Sequence, residues 1–207
     1  MRDMLKYMVR YAVVVIFAVA ALCSCEEGDD DNYDQMEDIV SFLESSHSPK
    51  LIAESEVASA LDDNPPFYSI WGVYSFRYIS TFYDAGRSER SEIVSGSVVT
   101  LSFDLYEFDG SAIDETTDLP AYSNRASDEA RLVEAGLNTQ LWDFTPITLT
   151  IGSGTLFAAI EENLKGCREG DEIYIYMTYN DAYGDDVMGL ISKNAMVRFS
   201  CTVESVE

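Results

Sequence analysis

In LKGCREGDEIYIYMTYNDAYG (residues 164–184) a single tyrosine, Tyr183, stands between Ala182 and Gly184 in a loop that directly follows a strand-like run. Loops that leave a strand are common seats of function. This one brings no cysteine nucleophile, no histidine and no phosphate-binding run of glycines. A phenol donates one hydrogen bond and presents an aromatic ring. The chemistry open to it is hydrogen bonding inside an apolar enclosure rather than covalent catalysis. The single histidine, His47, lies in the polar turn ESSHSPK, which excludes a histidine-based triad or a histidine-rich metal site. Asp185 and Asp186 fall far short of a calcium site. No metal or other cofactor is expected. Cys167 and Cys201 read as two buried apolar thiols, with a disulfide between them as the alternative.

Thirteen basic residues against 37 acidic ones give the 207-residue chain a net charge of −24. Such a surface repels phosphate backbones and no basic patch interrupts it, so nucleic acid is set aside as a partner. Arg2, Lys6 and Arg10 precede an apolar run from Tyr11 to Leu22. That run suits a secretory signal peptide and is too short for an ordinary ~20-residue membrane span. In LCSC, Leu22 stands three residues before Cys25 and Ser24 directly before it, which resembles a bacterial lipobox. The resemblance implies removal of residues 1–24 and acylation of Cys25; an ordinary signal peptide with a coincidental cysteine is the alternative. Acyl chains at ~0.8 kcal/mol per buried methylene would anchor the protein to a membrane. Residues 25–35, beginning CEEGDDDNYD, read as an acidic, extended tether. They are similar to the acidic tags of some surface lipoproteins, with a plain spacer as the alternative. The expected location is the cell envelope, lipid-anchored to the outer membrane and either periplasmic or surface-exposed.

Positioning Tyr183 falls to the remaining elements. Residues 36–66 form a helical leader: Met36, Ile39, Val40 and Leu43 recur at helical spacing, and the Asn64–Pro65–Pro66 break ends it. Residues 67–207 are mostly strand. Residues 73–83 are aromatic and β-branched, and Val99, Leu101, Phe103 and Leu105 alternate with polar residues. The same period recurs at Ile147–Ile151, Ile173–Met177 and Val197–Val203. Four or five half-buried strands with hairpin-scale links predict an antiparallel sheet. Leu156, Ile160 and Leu164 predict one amphipathic helix, N-capped by Ser153 and followed by Gly166. The fold class is α+β, an antiparallel sheet wrapped on that helix. A second helix is expected over residues 127–135. Tyr174 and Tyr176 point away from the Ile173/Ile175 face, where the leader is expected to bury Met36, Ile39 and Leu43 against them.

The order of these features resembles the FKBP-type peptidyl-prolyl isomerases. FDLYEFDGSAID (103–114) is similar to the family's strand–turn–strand, with Asp-Gly making the hairpin and an aspartate four residues after the glycine. PITLTIGSGTLFAAIEENLKGCREGDEIYIYMTYNDAYG (146–184) follows the family pattern without a gap, and GLISKNAMVRFSCTVESV resembles its flap and last strand. The resemblance covers about residues 67–207. It implies catalytic roles for Tyr183 and Asp114. It also implies a substrate pocket of Phe103, Ile113, Ile147, Leu156, Phe157, Ile160, Leu190, Ile191 and Phe199. Four positions depart from the family: Ile160 replaces its floor tryptophan, Phe103 a tyrosine, and Ile113 and Ile147 phenylalanines. An insertion at about residues 115–145, holding Trp142 and Phe144, borders the pocket mouth by position, and Trp142 reads as an anchor of that insertion rather than a ligand platform.

Three classes of function fit. The first is a lipid-anchored envelope isomerase and folding helper acting on proline-containing polypeptides. The second is a non-catalytic binding lipoprotein of the same fold. The third is a surface lipoprotein binding a glycan or protein through exposed aromatics. A closed apolar pocket holding Tyr183 would favour the first two.

Overall fold

The computed structural model describes residues 27–72 and 74–207, with side chains from residue 31 onward. The signal peptide read at residues 1–24 and the lipidation site Cys25 lie outside the described residues. Helix α1 (Glu27–Ser41) runs into a widened turn at Phe42–Ser46. Most of residues 25–35 therefore belong to a helix, not to an extended tether: the leader's helical period begins at Glu27, nine residues before the first apolar position.

The strands are β1 (Ile52–Ala53), β2 (Phe67–Trp71), β3 (Ser75–Ile79), β4 (Val98–Phe108), β5 (Tyr122–Ser123), β6 (Ile147–Thr150), β7 (Glu172–Met177) and β8 (Met196–Val206). Helix α2 (Glu129–Glu134) lies between β5 and β6, and α3 (Ala158–Leu164) between β6 and β7. Among the described residues they make one eight-stranded sheet in the order β1-β2-β3-β7-β8-β4-β5, with β6 also paired to β4. Every pairing is antiparallel except β1 with β2. The α+β architecture expected from alternation is present. The single run expected over residues 73–83 is instead the second half of a β2–β3 hairpin, because the aromatic residues after Pro66 divide at Gly72, with φ 62, into two short strands.

The central strands bury both faces. Ile173, Ile175 and Met177 of β7 join Val197, Phe199 and Cys201 of β8 and Val99, Leu101 and Phe103 of β4 in one core beneath α3. Cys167 and Cys201 are free thiols inside it, and burial pushes the Cys167 thiol up to about 12. Period-2 geometry sends Tyr174 and Tyr176 to the opposite face. There Tyr176 packs with Ile39, Phe42, Leu43, Tyr68, Phe76 and Phe108, so the leader covers this face as its apolar spacing implies. The His47 ring stands edge-on to Phe42 and Tyr78. Tyr176 is buried and Tyr174 half-buried, which removes the flat aromatic surface that glycan binding would need.

A seven-residue helix is too short to hold itself, and α3 is clamped at both ends. Arg77 of β3 donates to the Asn163 carbonyl (2.6 Å) and the Lys165 carbonyl (2.9 Å), satisfying the last turn. At the other end Ser153 does not cap; its hydroxyl bonds Thr155. No side chain caps α3 there; Glu161, from within the helix, instead holds the loop that enters it.

Leu43 is fully buried between leader and sheet. Leu43→Ala is expected to destabilise the chain by about 2–5 kcal/mol, measured by chemical denaturation. An effect near zero would show that the leader contributes nothing to the core.

Candidate active site

Tyr183 is positioned by the turn that ends β7. Residues Tyr179–Asp181 form one tight helical turn, and the Gly184 amide closes the loop on the Tyr179 carbonyl (2.8 Å). Gly184 has φ 61, a left-handed backbone that a side chain would strain. The Tyr183 ring meets Phe157 edge-to-face at 4.7 Å. Its hydroxyl has no hydrogen-bond partner among the described residues, and burial raises its pKa above the usual phenol value.

The cavity beside it holds about 370 Å³ and is lined by Phe103, Leu105, Tyr122, Leu156, Phe157, Ile160, Tyr183 and Phe199, with Gly154 and Thr155 at the edge. Six of the residues expected at the pocket therefore converge: Phe103, Leu156, Phe157, Ile160, Tyr183 and Phe199. Their elements explain this. Phe103 and Phe199 face inward on paired strands β4 and β8 with rings 5.0 Å apart, while Ile160 rises from α3 as the floor. Leu156 and Phe157 sit on the loop entering α3. That loop is strapped by the buried Glu161 carboxylate, which accepts the amides of Gly152 (2.7 Å), Leu156 (3.2 Å) and, at 3.4 Å, Gly154. The Phe157 amide precedes the first helical hydrogen bond, Glu161 N–H to the Phe157 carbonyl, so no carbonyl of α3 accepts from it.

The other expected residues lie elsewhere. Ile147 packs on the same core from β6 without lining the cavity. Leu190 and Ile191 line a neighbouring cavity instead. Ile113 packs on the opposite face of the sheet, beside the leader. Asp114 is exposed, and its carboxylate accepts the Thr116 amide (2.9 Å) and hydroxyl (2.6 Å), bonds that hold its pKa below the usual value. The reason is the local chemistry of the hairpin. After Phe108 the chain leaves the sheet, and the strand that returns beside Phe103 is Tyr122–Ser123.

What brings it back is a set of polar bonds. Asn124, buried, accepts the Phe103 amide (2.6 Å) and donates to the Leu101 carbonyl (3.0 Å), while Arg125 pairs with Asp104 at 2.7 Å. Tyr122 thus takes the place expected for Ile113, its ring 5.4 Å from Phe103. The insertion is accordingly two excursions, residues 109–121 and 124–146. Neither lines the cavity, and Trp142, its ring tilted against Tyr122 at 5.2 Å, lines the neighbouring one. Sequence reasoning missed Tyr122 because a two-residue strand carries no period, and missed Glu161 because a charged residue within an amphipathic helix reads as solvent-facing.

A sequence model of the FKBP-type peptidyl-prolyl cis-trans isomerase family matches residues 89–204, more than half of the chain. The chain belongs to this family. Similar solved structures include the N-terminal domain of FKBP42 from Arabidopsis thaliana, with 10% identity and a TM-score of 0.43 over 72% of this chain and 95% of that one. A comparison with curated proteins finds no match. Within the FKBP domain, the cavity, the strapped loop and the Tyr183 turn all fall inside the matched residues.

Glu161→Ala would leave the Gly152 and Leu156 amides without their charged acceptor. The expected result is a loss of about 3 kcal/mol and faster hydrogen exchange confined to the amides of residues 152–156. Unchanged exchange there would show that the carboxylate does not hold the loop.

Proposed function

We propose that this FKBP-family chain is a peptidyl-prolyl cis-trans isomerase and folding helper, anchored by a lipidated Cys25 in the cell envelope, at the outer membrane. The observation that carries the catalytic reading is the apolar cavity with one unengaged phenol at its wall. Rotation about a prolyl bond meets a barrier of ~18–20 kcal/mol because the amide loses resonance at the twist. The twisted imide is less zwitterionic than the planar one, so a dry apolar cavity favours it relative to water. No proton moves and no bond forms; the acceleration is differential binding of the transition state. The Tyr183 hydroxyl donates to a substrate carbonyl, and the Phe157 amide supplies a second donor. Phe103, Ile160 and Phe199 enclose the prolyl ring. The substrates are proline-containing segments of exported polypeptides.

The envelope location rests on residues 1–35: the basic start, the short apolar run and LCSC support export and acylation. Among the described residues no helix is long and apolar enough to cross a membrane. The aliphatic Ile160 floor favours a second reading, an FKBP-fold binder without turnover, because the floor itself offers proline no ring to stack on, the rings standing only on the walls.

Proline-peptide isomerisation by the full chain separates the two. Turnover that falls about tenfold in Tyr183→Phe, the equivalent of one hydrogen bond, would support the isomerase. Asp114→Ala should stay within about twofold of the parent, since that carboxylate is bound to Thr116 outside the cavity. Flat rates in a folded sample would leave the binder.

The pH profile adds a check. A raised phenol pKa keeps Tyr183 protonated, so kcat/KM should be level from about pH 6 to about pH 9. A titration near pH 7 would point to a different catalytic group.

A further inference from the structure

The leader leaves part of its sheet face uncovered. Between residues 46–49 of the leader and the excursion over residues 109–121, a cavity of about 370 Å³ opens onto the strands. It and the prolyl cavity lie on opposite faces of β8: Phe199 lines the prolyl cavity, and the residue before it, Arg198, lines this one. Tyr78, Tyr174 and Tyr176 make an aromatic floor, with the rings of Tyr78 and Tyr174 stacked at 5.9 Å. No residue lines both cavities.

Arg198 gives the cavity its chemistry. Its side chain is 6% exposed, and the guanidinium lies 4.7 Å from the Tyr106 ring and 5.7 Å from the Tyr174 ring. Glu115 accepts from Nη2 at 2.7 Å, while Nε is buried with no hydrogen-bond partner among the described residues. A buried donor left unbonded carries a standing cost, and a ligand oxygen that accepts from it removes that cost. Burial, and after it the charge of Arg198, lower the His47 pKa below the usual imidazole value, so that ring is neutral at pH 7. The lining therefore holds one cation and one anion, and the anion, Glu115, is 47% exposed. The groove on the other side of Tyr174 is different in kind: its arginine, Arg125, is paired with Asp104 at 2.7 Å, and Asp128 and Glu172 add further negative charge.

We propose that the cavity beside the leader binds an organic anion, a carboxylate carried on a flat apolar body of one or two rings, which takes the Arg198 guanidinium in place of Glu115. A planar guanidinium meets a carboxylate through two parallel N–H bonds, and a pair that includes Nε satisfies the unbonded donor. Glu115, already half in water, returns to solvent at little cost. The tyrosine floor receives the rings, and the cavity is of the size that small-molecule sites have, ~300–1,000 Å³. A free acid and the carboxyl end of a polypeptide finishing in an aromatic residue both present this chemistry. The site stands apart from the isomerase reading, because none of its residues belongs to the prolyl cavity.

The test is calorimetric titration of the full chain with four probes: 2-naphthoate, its neutral counterpart 2-naphthamide, and the peptide Gly-Gly-Phe with a free or an amidated C-terminus. At least one of the two acids should bind with a Kd of about 1 mM or below, and at least about tenfold more tightly than its own amide. Arg198→Met should weaken that acid at least about tenfold. Glu115→Gln, a change at an exposed side chain, should tighten it about threefold by removing the competing charge. A damaged fold does not produce tightening, so this variant decides even where Arg198→Met fails to fold.

The better-bound acid names the source. A preference for the peptide acid assigns the site to chain ends, a preference for 2-naphthoate assigns it to free acids, and either sustains the proposal. Equal affinity for acid and amide would overturn it, as would acid binding that survives Arg198→Met or that Glu115→Gln leaves unchanged or weakens. The absence of saturable binding by both acids up to several millimolar would overturn it as well.

Discussion

A strand that alternates isoleucine with tyrosine has two faces to hide, and β7 is such a strand. With Ile173 and Ile175 turned to α3 and Tyr176 turned away, the sheet cannot be a half-exposed one; something must lie on each side. The helix between β6 and β7 serves one face. The leader, distant in sequence, serves the other. The domain is therefore three layers deep where a sheet packed on one helix would be two. Tyr176 and Tyr78, which would be a sticky aromatic surface on a two-layer fold, become the floor on which Phe42 and Leu43 rest.

The cavity exists because the inner layer is shorter than the sheet it covers. Seven helical residues cannot reach across β4 and β8, and the space beyond the helix is walled by a loop instead of another turn. A loop at that place would ordinarily fluctuate. Here the Glu161 carboxylate gathers its amides and Arg77 gathers the carbonyls at the other end of the helix. The walls are thus set before any ligand arrives, which is what a site working by shape and dryness rather than by reactive groups requires. A mobile wall would admit water and lose the low-polarity environment that favours a twisted amide.

Much of this was legible beforehand, for a reason that also marks the limit. Alternation at Val99–Leu105, Ile173–Met177 and Val197–Val203 reports burial on one face, and it placed the strands and the inward-facing Phe103 and Phe199 correctly. The leader's Ile39 and Leu43 spacing likewise found its face. Alternation says nothing about where a chain returns after leaving a sheet. That is decided by single polar contacts such as Asn124 to the Phe103 amide and Arg125 to Asp104. A plausible Asp-Gly hairpin therefore drew Ile113 and Asp114 into the site, when the return came nine residues later with Tyr122. Ser153 misled in the same way. A good capping residue stood before the apolar run, but the helix begins only at Ala158, four residues past where Ser153 could cap it.

The leader does more than cover a face. Gln35 of α1 accepts the Tyr179 amide (2.9 Å) and donates to the Asn194 carbonyl (2.8 Å), and the Asn194 amide in turn donates to the Gly184 carbonyl (3.1 Å). Apolar packing is non-directional and tolerates sliding; a side-chain amide gripping two points of one loop does not. α1 is thereby a lever whose short arm ends beside Tyr183. A torque on the leader would be delivered to the mouth of the cavity and not dissipated in the core.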